Sequence, residues 1–214
     1  MNEKLNTKAK VTPEAILFDW DNTIVDTRVM ILNAVNKTLS HFGKPALDRD
    51  MNAPERMDFF KQTFGEEWVF AYSLFTDHLR SENPGPLQIF PGFTSFLDLI
   101  AERRIFTGIV SNKYNELLKK EVDSLGLTDR FDVIVGSGDT DQDKPSAKPL
   151  LYALSIGNIT PSKETVLFIG DSATDMECAR NATVRGIAYR ATPIEGFENI
   201  PIIRHYDQAK ILIP

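Results

Sequence analysis

Cysteine is nearly absent from this 214-residue chain: Cys178 stands alone. That excludes an internal disulfide framework and fits a reducing compartment, with a small buried helix residue as the ordinary role of a lone thiol. No apolar run is long enough for a signal segment or a membrane span, and none follows the polar, lysine-bearing first ten residues. No membrane partner is expected, and the cytoplasm is the default location. A basic tract is missing too. Lys and Arg number 24 against 30 Asp and Glu, a formal charge of -6, which argues against general nucleic-acid binding. The three histidines, His41, His78 and His205, have no ligand spacing and read as surface or core fillers. Internal repeats and low-complexity stretches are also lacking.

What is there is a chain able to bury roughly 70% of its extended surface without staples. Its 42% hydrophobic and 25% charged content is ordinary for a globular enzyme. Short apolar runs at Ala15–Phe18, Thr107–Val110, Val133–Val135, Val166–Ile169 and Gly186–Tyr189 are predicted strands. Between them, residues 93–103, 116–125, 149–156 and 173–181 carry helical patterns. Alternation of this kind predicts an α/β fold, a parallel sheet with helices on both faces and right-handed crossovers. Residues 28–82 break it: Ile31, Val35, Leu39, then Phe59, Phe60, Phe64, then Val69, Tyr72, Leu79 recur at helical spacing. A core of residues 1–25 and 88–214 with a helical insertion of three or four helices at 26–87 is therefore expected. Asp26-Thr27 is placed to cap its first helix, and Asn83-Pro84-Gly85-Pro86 is a stiff link back. An insertion there is suited to act as a lid.

The chemistry concentrates at predicted strand ends, where ligands sit in such sheets. Phe18-Asp19-Trp20-Asp21-Asn22-Thr23 ends the first run. Two carboxylates one residue apart share a face of an extended strand and can converge on one point, with Trp20 pointing the other way. A buried pair is costly without a cation or paired donors. One carboxylate can attack phosphorus while the other gives a proton to the leaving oxygen and later takes one from water. Gly170-Asp171-Ser172-Ala173-Thr174-Asp175 ends the fourth run. Gly170 suits a sharp turn, and the spacing puts Asp171 and Asp175 on one side of a starting helix. Oxygen donors of this type suit Mg²⁺. Ser111 and Asn112 offer a hydroxyl and a backbone N–H to a phosphate oxygen. Lys144, followed by Pro145, is positioned to aim an ammonium at that phosphate or to pair with Asp175. Arg49, Arg56 and Lys61 in the insertion read as a solvated face rather than an anion contact.

Taken in order, Asp19-x-Asp21-x-Thr23, Ser111, Lys144 and Gly170-Asp171-x-x-x-Asp175 resemble the haloacid dehalogenase-like hydrolase superfamily over residues 15–190. The resemblance implies a Rossmann-like core with a helical cap, as in the phosphoglycolate phosphatase-like branch, and Mg²⁺-dependent aspartyl-phosphate chemistry on a small phosphorylated metabolite. It makes Asp19 nucleophile and metal ligand. Asp21 becomes the acid/base, contributing its backbone carbonyl to the metal, and Lys144 steadies the phosphoryl group. Ser111, Asn112, Asn22 and Thr23 fall in the phosphate-binding set, with Thr23 ordering the first loop. Asp171 and Asp175 complete the metal set, Asp175 either as a ligand or as a partner behind it. The acid at Asp21 speaks against the dehalogenase and phosphonate-cleaving branches.

Three departures stand out. Asn22 occupies a position where many relatives have Gly, and Asn tolerates a left-handed backbone. The lysine segment, Lys144-Pro145-Ser146-Ala147, lacks a second proline three residues on, which makes Lys148 a rival. Asp50-Met51-Asn52-Ala53-Pro54-Glu55 lacks the glycine common in the specificity loop, so phosphoglycolate itself is not implied. A phosphosugar mutase is the nearest competing function. A phospho-accepting signalling module and an idle binding protein on this fold are further off. Nothing chooses between a monomer and a homodimer.

Overall fold

The computed structural model describes residues 11–49, 51, 53–81, 87–190 and 194–214. The first ten residues, the Asn83-Pro84-Gly85-Pro86 link, and Asp50 and Asn52 of the insertion lie outside them. Among the described residues, eight strands and eight α-helices follow in chain order: β1 Ala15–Phe18, β2 Val25–Asp26, α1 Arg28–His41, α2 Ala53–Phe64, α3 Trp68–Ser81, β3 Gln88–Ile89, α4 Phe93–Glu102, β4 Phe106–Tyr114, α5 Asn115–Ser124, β5 Val133–Ser137, α6 Lys148–Ile156, β6 Val166–Gly170, α7 Ala173–Asn181, β7 Arg185–Tyr189, β8 Ile202–Ile203 and α8 Tyr206–Ala209. Six strands form one sheet in the order β5-β4-β1-β6-β7-β8, while β2 and β3 make a separate two-stranded pair. Every pairing in the large sheet is parallel. β1 sits between β4 and β6, with Phe18 level with Ile109 on one side and Ile169 on the other. Strand order reverses at β1, so its carboxyl end opens onto the crevice where such folds bind ligands.

Parity along β1 divides the core. Ile16, Phe18 and Trp20 join the cluster formed with α4, α5 and α8, whereas Ala15 and Leu17 join the one under α6 and α7. All of these are completely buried, which is why the run reads as continuous apolar sequence rather than alternation. Phe18 packs edge-on to Phe93, with centroids 5.3 Å apart, and Tyr206 stacks on Tyr189 at 4.5 Å. The Tyr206 hydroxyl donates to the Thr23 carbonyl at 2.8 Å, which ties α8 to the loop after β1.

The chain divides into two compact units, residues 1–25 with 89–214, and residues 26–88. The smaller unit is all helical apart from its single-residue shares of β2 and β3, and its own core gathers Ile31, Val35 and Leu39 of α1 with Phe60 and Phe64 of α2 and Phe75 of α3. Of the Asp26-Thr27 pair expected to cap its first helix, Asp26 accepts the first helical N–H, that of Arg28, together with its guanidinium, while the Thr27 hydroxyl is buried with no hydrogen-bond partner among the described residues. Arg56 donates to the Met51 carbonyl and lies over the Phe75 ring, and Lys61 lies over Trp68. Both cations are thus engaged within the helical unit. No helix among the described residues is long and apolar enough to cross a membrane.

Candidate active site

Asp19 is the first residue beyond β1, and its N–H still joins the ladder, donating to the Ile169 carbonyl at 2.9 Å. The Lys144 ammonium bridges two carboxylates, donating to Asp19 Oδ1 at 2.7 Å and Asp175 Oδ1 at 2.6 Å. The Lys144 side chain is 3% exposed and that of Asp175 2%. Asp175 serves twice. Its other oxygen accepts from the Ser172 N–H at 3.0 Å, while Ser172 accepts from the Asp175 N–H, the reciprocal cap that starts α7. Gly170 is needed for closeness rather than for a turn: a Cβ there would stand 2.5 Å from Asp175 Cβ, and its φ is not positive. One carboxylate oxygen from each of Asp19, Asp171 and Asp175 lies within 4.8 Å of the others.

The loop carrying Lys144 is held through its backbone. Asn112 donates from Nδ2 to the Lys144 carbonyl at 2.8 Å and accepts the Lys144 N–H on Oδ1 at 2.9 Å. Its side chain therefore grips the lysine segment, leaving the backbone of Asn112 as its group for a phosphate. Asn181 adds a bond to the Pro145 carbonyl at 2.9 Å, and the Lys144–Pro145 peptide is cis. Lys148, the rival lysine, is 46% exposed and pairs with Asp141 instead.

Burial sets the charge balance. It pushes the Asp19 carboxyl up to about 7, Lys144 opposing and Asp175 and Asp21 reinforcing the rise. Loss of solvent likewise raises Asp171 well above the usual carboxylate range, with Asp175 and Asp19 adding to it. For Lys144 burial works downward, but Asp175 and Asp19 more than offset it and the ammonium is held charged. With all three carboxylates ionised, as metal binding requires, they face one bridging ammonium and two negative charges are left over (three minus one). An all-oxygen donor set with that deficit fits a hard divalent cation.

Asp21 goes elsewhere. β1 ends at Phe18, and although Trp20 stays on the side of Ile16 and Phe18, the Asp21 carboxylate is not part of the three-residue cluster. It accepts from Lys113 Nζ at 2.8 Å. Lys113 also donates to Glu121 Oε2 at 2.6 Å, and the same oxygen accepts the Trp20 indole N–H at 2.7 Å. Trp20 is fully buried as expected, but it is hydrogen-bonded rather than merely packed. Sequence reasoning missed Lys113 and Glu121. The available signal was Glu121 itself, a carboxylate on the apolar stripe of Leu117, Leu118 and Val122 in α5.

Of the remaining candidates, Asn22 takes φ 57°, the left-handed backbone that its side chain tolerates. Thr23 is completely buried, its hydroxyl 3.5 Å from Asp19 Oδ2. Ser111 is buried two residues beyond the last β4 residue paired with β1, and its Oγ accepts from the Lys113 N–H at 3.3 Å.

A doubly wound sheet with an acidic cluster and a buried lysine at its switch point defines a class of phosphate-handling enzymes. The comparisons name the family. The profile described as "Haloacid dehalogenase-like hydrolase" matches residues 16–189, and the chain belongs to that family. It is 30% identical over 193 residues to phosphoglycolate phosphatase of Chromobacterium violaceum, covering 82% of this chain and 84% of that one. Against phosphoglycolate phosphatase of Aquifex aeolicus the identity is 31% over 176 residues, covering 78% and 80%. A crystal structure of a HAD-superfamily hydrolase from Ehrlichia chaffeensis superposes with a TM-score of 0.69 at 34% identity, covering 94% of this chain and 96% of that one. The fold is also that of a crystal structure of a HAD-superfamily hydrolase, subfamily IA, variant 1, from Geobacter sulfurreducens, which superposes with a TM-score of 0.70 at 22% identity, covering 94% of this chain and 97% of that one. The protein is a hydrolase with phosphatase homologues, phosphoglycolate phosphatase-like through distant relatives.

Proposed function

We propose that the chain is a Mg²⁺-dependent phosphatase that hydrolyses a small phosphorylated metabolite through an aspartyl phosphate on Asp19. The observation that carries this reading is the Lys144 bridge between Asp19 and Asp175, beside Asp171 at the carboxyl ends of the adjoining parallel strands β1 and β6. In this reading Asp19 attacks phosphorus, an Asp19 O–P bond forms, and the ester P–O bond breaks as Asp21 protonates the departing oxygen. Asp21 then takes a proton from water, whose oxygen attacks the acyl phosphate and releases inorganic phosphate and free Asp19. Lys144 holds Asp19 in place and offsets charge as it gathers on the phosphoryl oxygens. Ser111 and the backbone N–H of Asn112 cradle those oxygens, whereas the Asn22 and Thr23 N–H groups, expected in the same set, are spent inside the loop on the Val25 and Trp20 carbonyls at 2.7 and 3.3 Å.

Asp19, Asp171, the backbone carbonyl of Asp21 and, from behind, Asp175 would hold the magnesium ion. When bound it supplies the two positive charges the cluster lacks and lets a dianionic substrate approach a carboxylate nucleophile. We assign the helical unit the choice of substrate, and so read it as the cap of this family.

A phosphate-release screen over a broad panel of phosphorylated metabolites with Mg²⁺ tests the reading. Turnover is expected on at least one ester, lost in Asp19→Asn because an amide cannot form the acyl phosphate, and lost in excess chelator. Near-normal turnover in Asp19→Asn rejects the nucleophile, and unchanged rates under chelation reject the metal.

A further inference from the structure

A second buried lysine stands at the same sheet edge. The side chain of Lys113 is 6% exposed and that of Glu121 1%. Lys113 holds Asp21 Oδ1 at 2.8 Å and is itself held by Glu121 Oε2 at 2.6 Å. Glu121 also takes the indole N–H of Trp20, the residue between the two site aspartates. One oxygen of α5 therefore fixes both the backbone segment carrying Asp21, through Trp20, and the orientation of the Asp21 carboxylate, through Lys113. The other Glu121 oxygen is buried with no hydrogen-bond partner among the described residues. A buried ion network of this kind is weak evidence for stability, because desolvation consumes most of the attraction, and apolar residues of the same volume often do as well. Its value lies in geometry. With Oδ1 occupied by Lys113, Asp21 presents Oδ2, which has no partner among the described residues, in one defined direction.

We infer that Lys113, braced by Glu121 and the Trp20 indole, is a positioning residue that aims the Asp21 carboxyl at the leaving-group oxygen. This rests on the proposed phosphatase reading and adds a residue to it. In each turnover Lys113 keeps its protons and forms no bond to substrate. The proton travels from Asp21 to the ester oxygen, and the network supplies only direction. Positioning of a general acid contributes most where the departing alkoxide is poor and least where it leaves without help.

The test compares kcat/KM for an alkyl phosphate taken from the screen with that for 2,4-dinitrophenyl phosphate, both with saturating Mg²⁺. Lys113→Met is expected to lower the alkyl ester value about 10²-fold and the dinitrophenyl value less than about threefold. Inhibition by inorganic phosphate should be unchanged. Added to Asp21→Asn, the same change should cost little more, since two residues acting as a unit are not additive. Should Lys113→Met fail to fold because Asp21 and Glu121 lose their cation, Lys113→Met with Glu121→Gln removes one charge of each sign, keeps an acceptor for the indole, and should show the same selectivity. Equal losses on both esters, weaker phosphate inhibition, or full additivity with Asp21→Asn each overturn the inference. Absence of phosphate release by the wild-type protein, or its persistence in Asp19→Asn, removes the parent reading first and this inference with it.

Discussion

Two lysines are buried at one sheet edge, each bridging two carboxylates, and they differ in what surrounds them. Lys144 joins Asp19 to Asp175 with Asp171 alongside, so negative charge remains in excess. Lys113 joins Asp21 to Glu121, and a neutral donor, the Trp20 indole, closes the set. Burial raises Glu121 above the usual carboxylate range, with Lys113 and Trp20 working against the rise. Counted as ions, the Lys144 set is left with two negative charges (three minus one) and the Lys113 set with one (two minus one). The larger deficit is the one a divalent cation fits, and the smaller set, with the indole as an added donor, holds a side chain in place.

Removing the first lysine should have the largest effect. Lys144→Met is expected to lower kcat by about 10²–10³-fold, the scale of losing one preorganised electrostatic donor. Urea unfolding should show a loss of about 3 kcal/mol, because Asp19 and Asp175 are left buried and unpaired. A loss under tenfold in rate would deny Lys144 the larger role.

The metal sharpens the comparison next, through pH. Asp19 at about 7 and Asp171 well above its usual range hold protons in the metal-free folded state that the unfolded chain releases near pH 4. A folded-state pKa raised in this way makes the metal-free protein lose stability as pH rises from about 4 through 7. Mg²⁺ competes with those same protons, so its stabilisation should grow over the same window. Melting curves at pH 5.5 and pH 8 are expected to show a Mg²⁺-induced rise in Tm of about 2–4 °C more at the higher pH. An equal rise at both would detach the metal from these carboxylates.

At the braced end the effects are milder. Trp20→Phe removes one hydrogen bond to Glu121 and keeps Lys113, so a stability loss of about 1–2 kcal/mol and a rate loss within about tenfold are expected. Lys148→Ala, which cuts only an exposed pair with Asp141, should leave kcat within about twofold and stability within about 0.5 kcal/mol. A large drop there would return the lysine role to Lys148.

Legibility in the sequence follows the same division. β1 was readable to the residue, because both faces are buried and the run is apolar throughout. Asp171, Asp175 and Lys144 were readable because they follow the buried apolar run of β6 or precede Pro145, although Gly170 proves to matter for the close approach of Asp175 rather than for a turn. Four further strands and all four predicted core helices were also visible, within a few residues at their ends. β8 and α8 were not, since two and four residues carry no periodicity. Lys113 escaped because a lysine after Ser111-Asn112 looks like a solvated charge. Only the fold of α5 onto the sheet brings Glu121, eight positions later, against it. The separate pairing of Asp21 with Lys113 was hidden for a related reason: the strand ends at Phe18, and the backbone bends at Trp20 before Asp21.

Asn112 reads the backbone of Lys144 from both sides, donor to carbonyl and acceptor to amide. The segment is thereby moored without help from its own ammonium. Trimming Lys144 to Ala should then vacate a narrow slot over the Phe168 ring while its walls stay put. Added ethylammonium, a detached copy of the side chain's tip, is expected to restore part of the lost turnover in a saturable manner, and bulkier amines to fail by size.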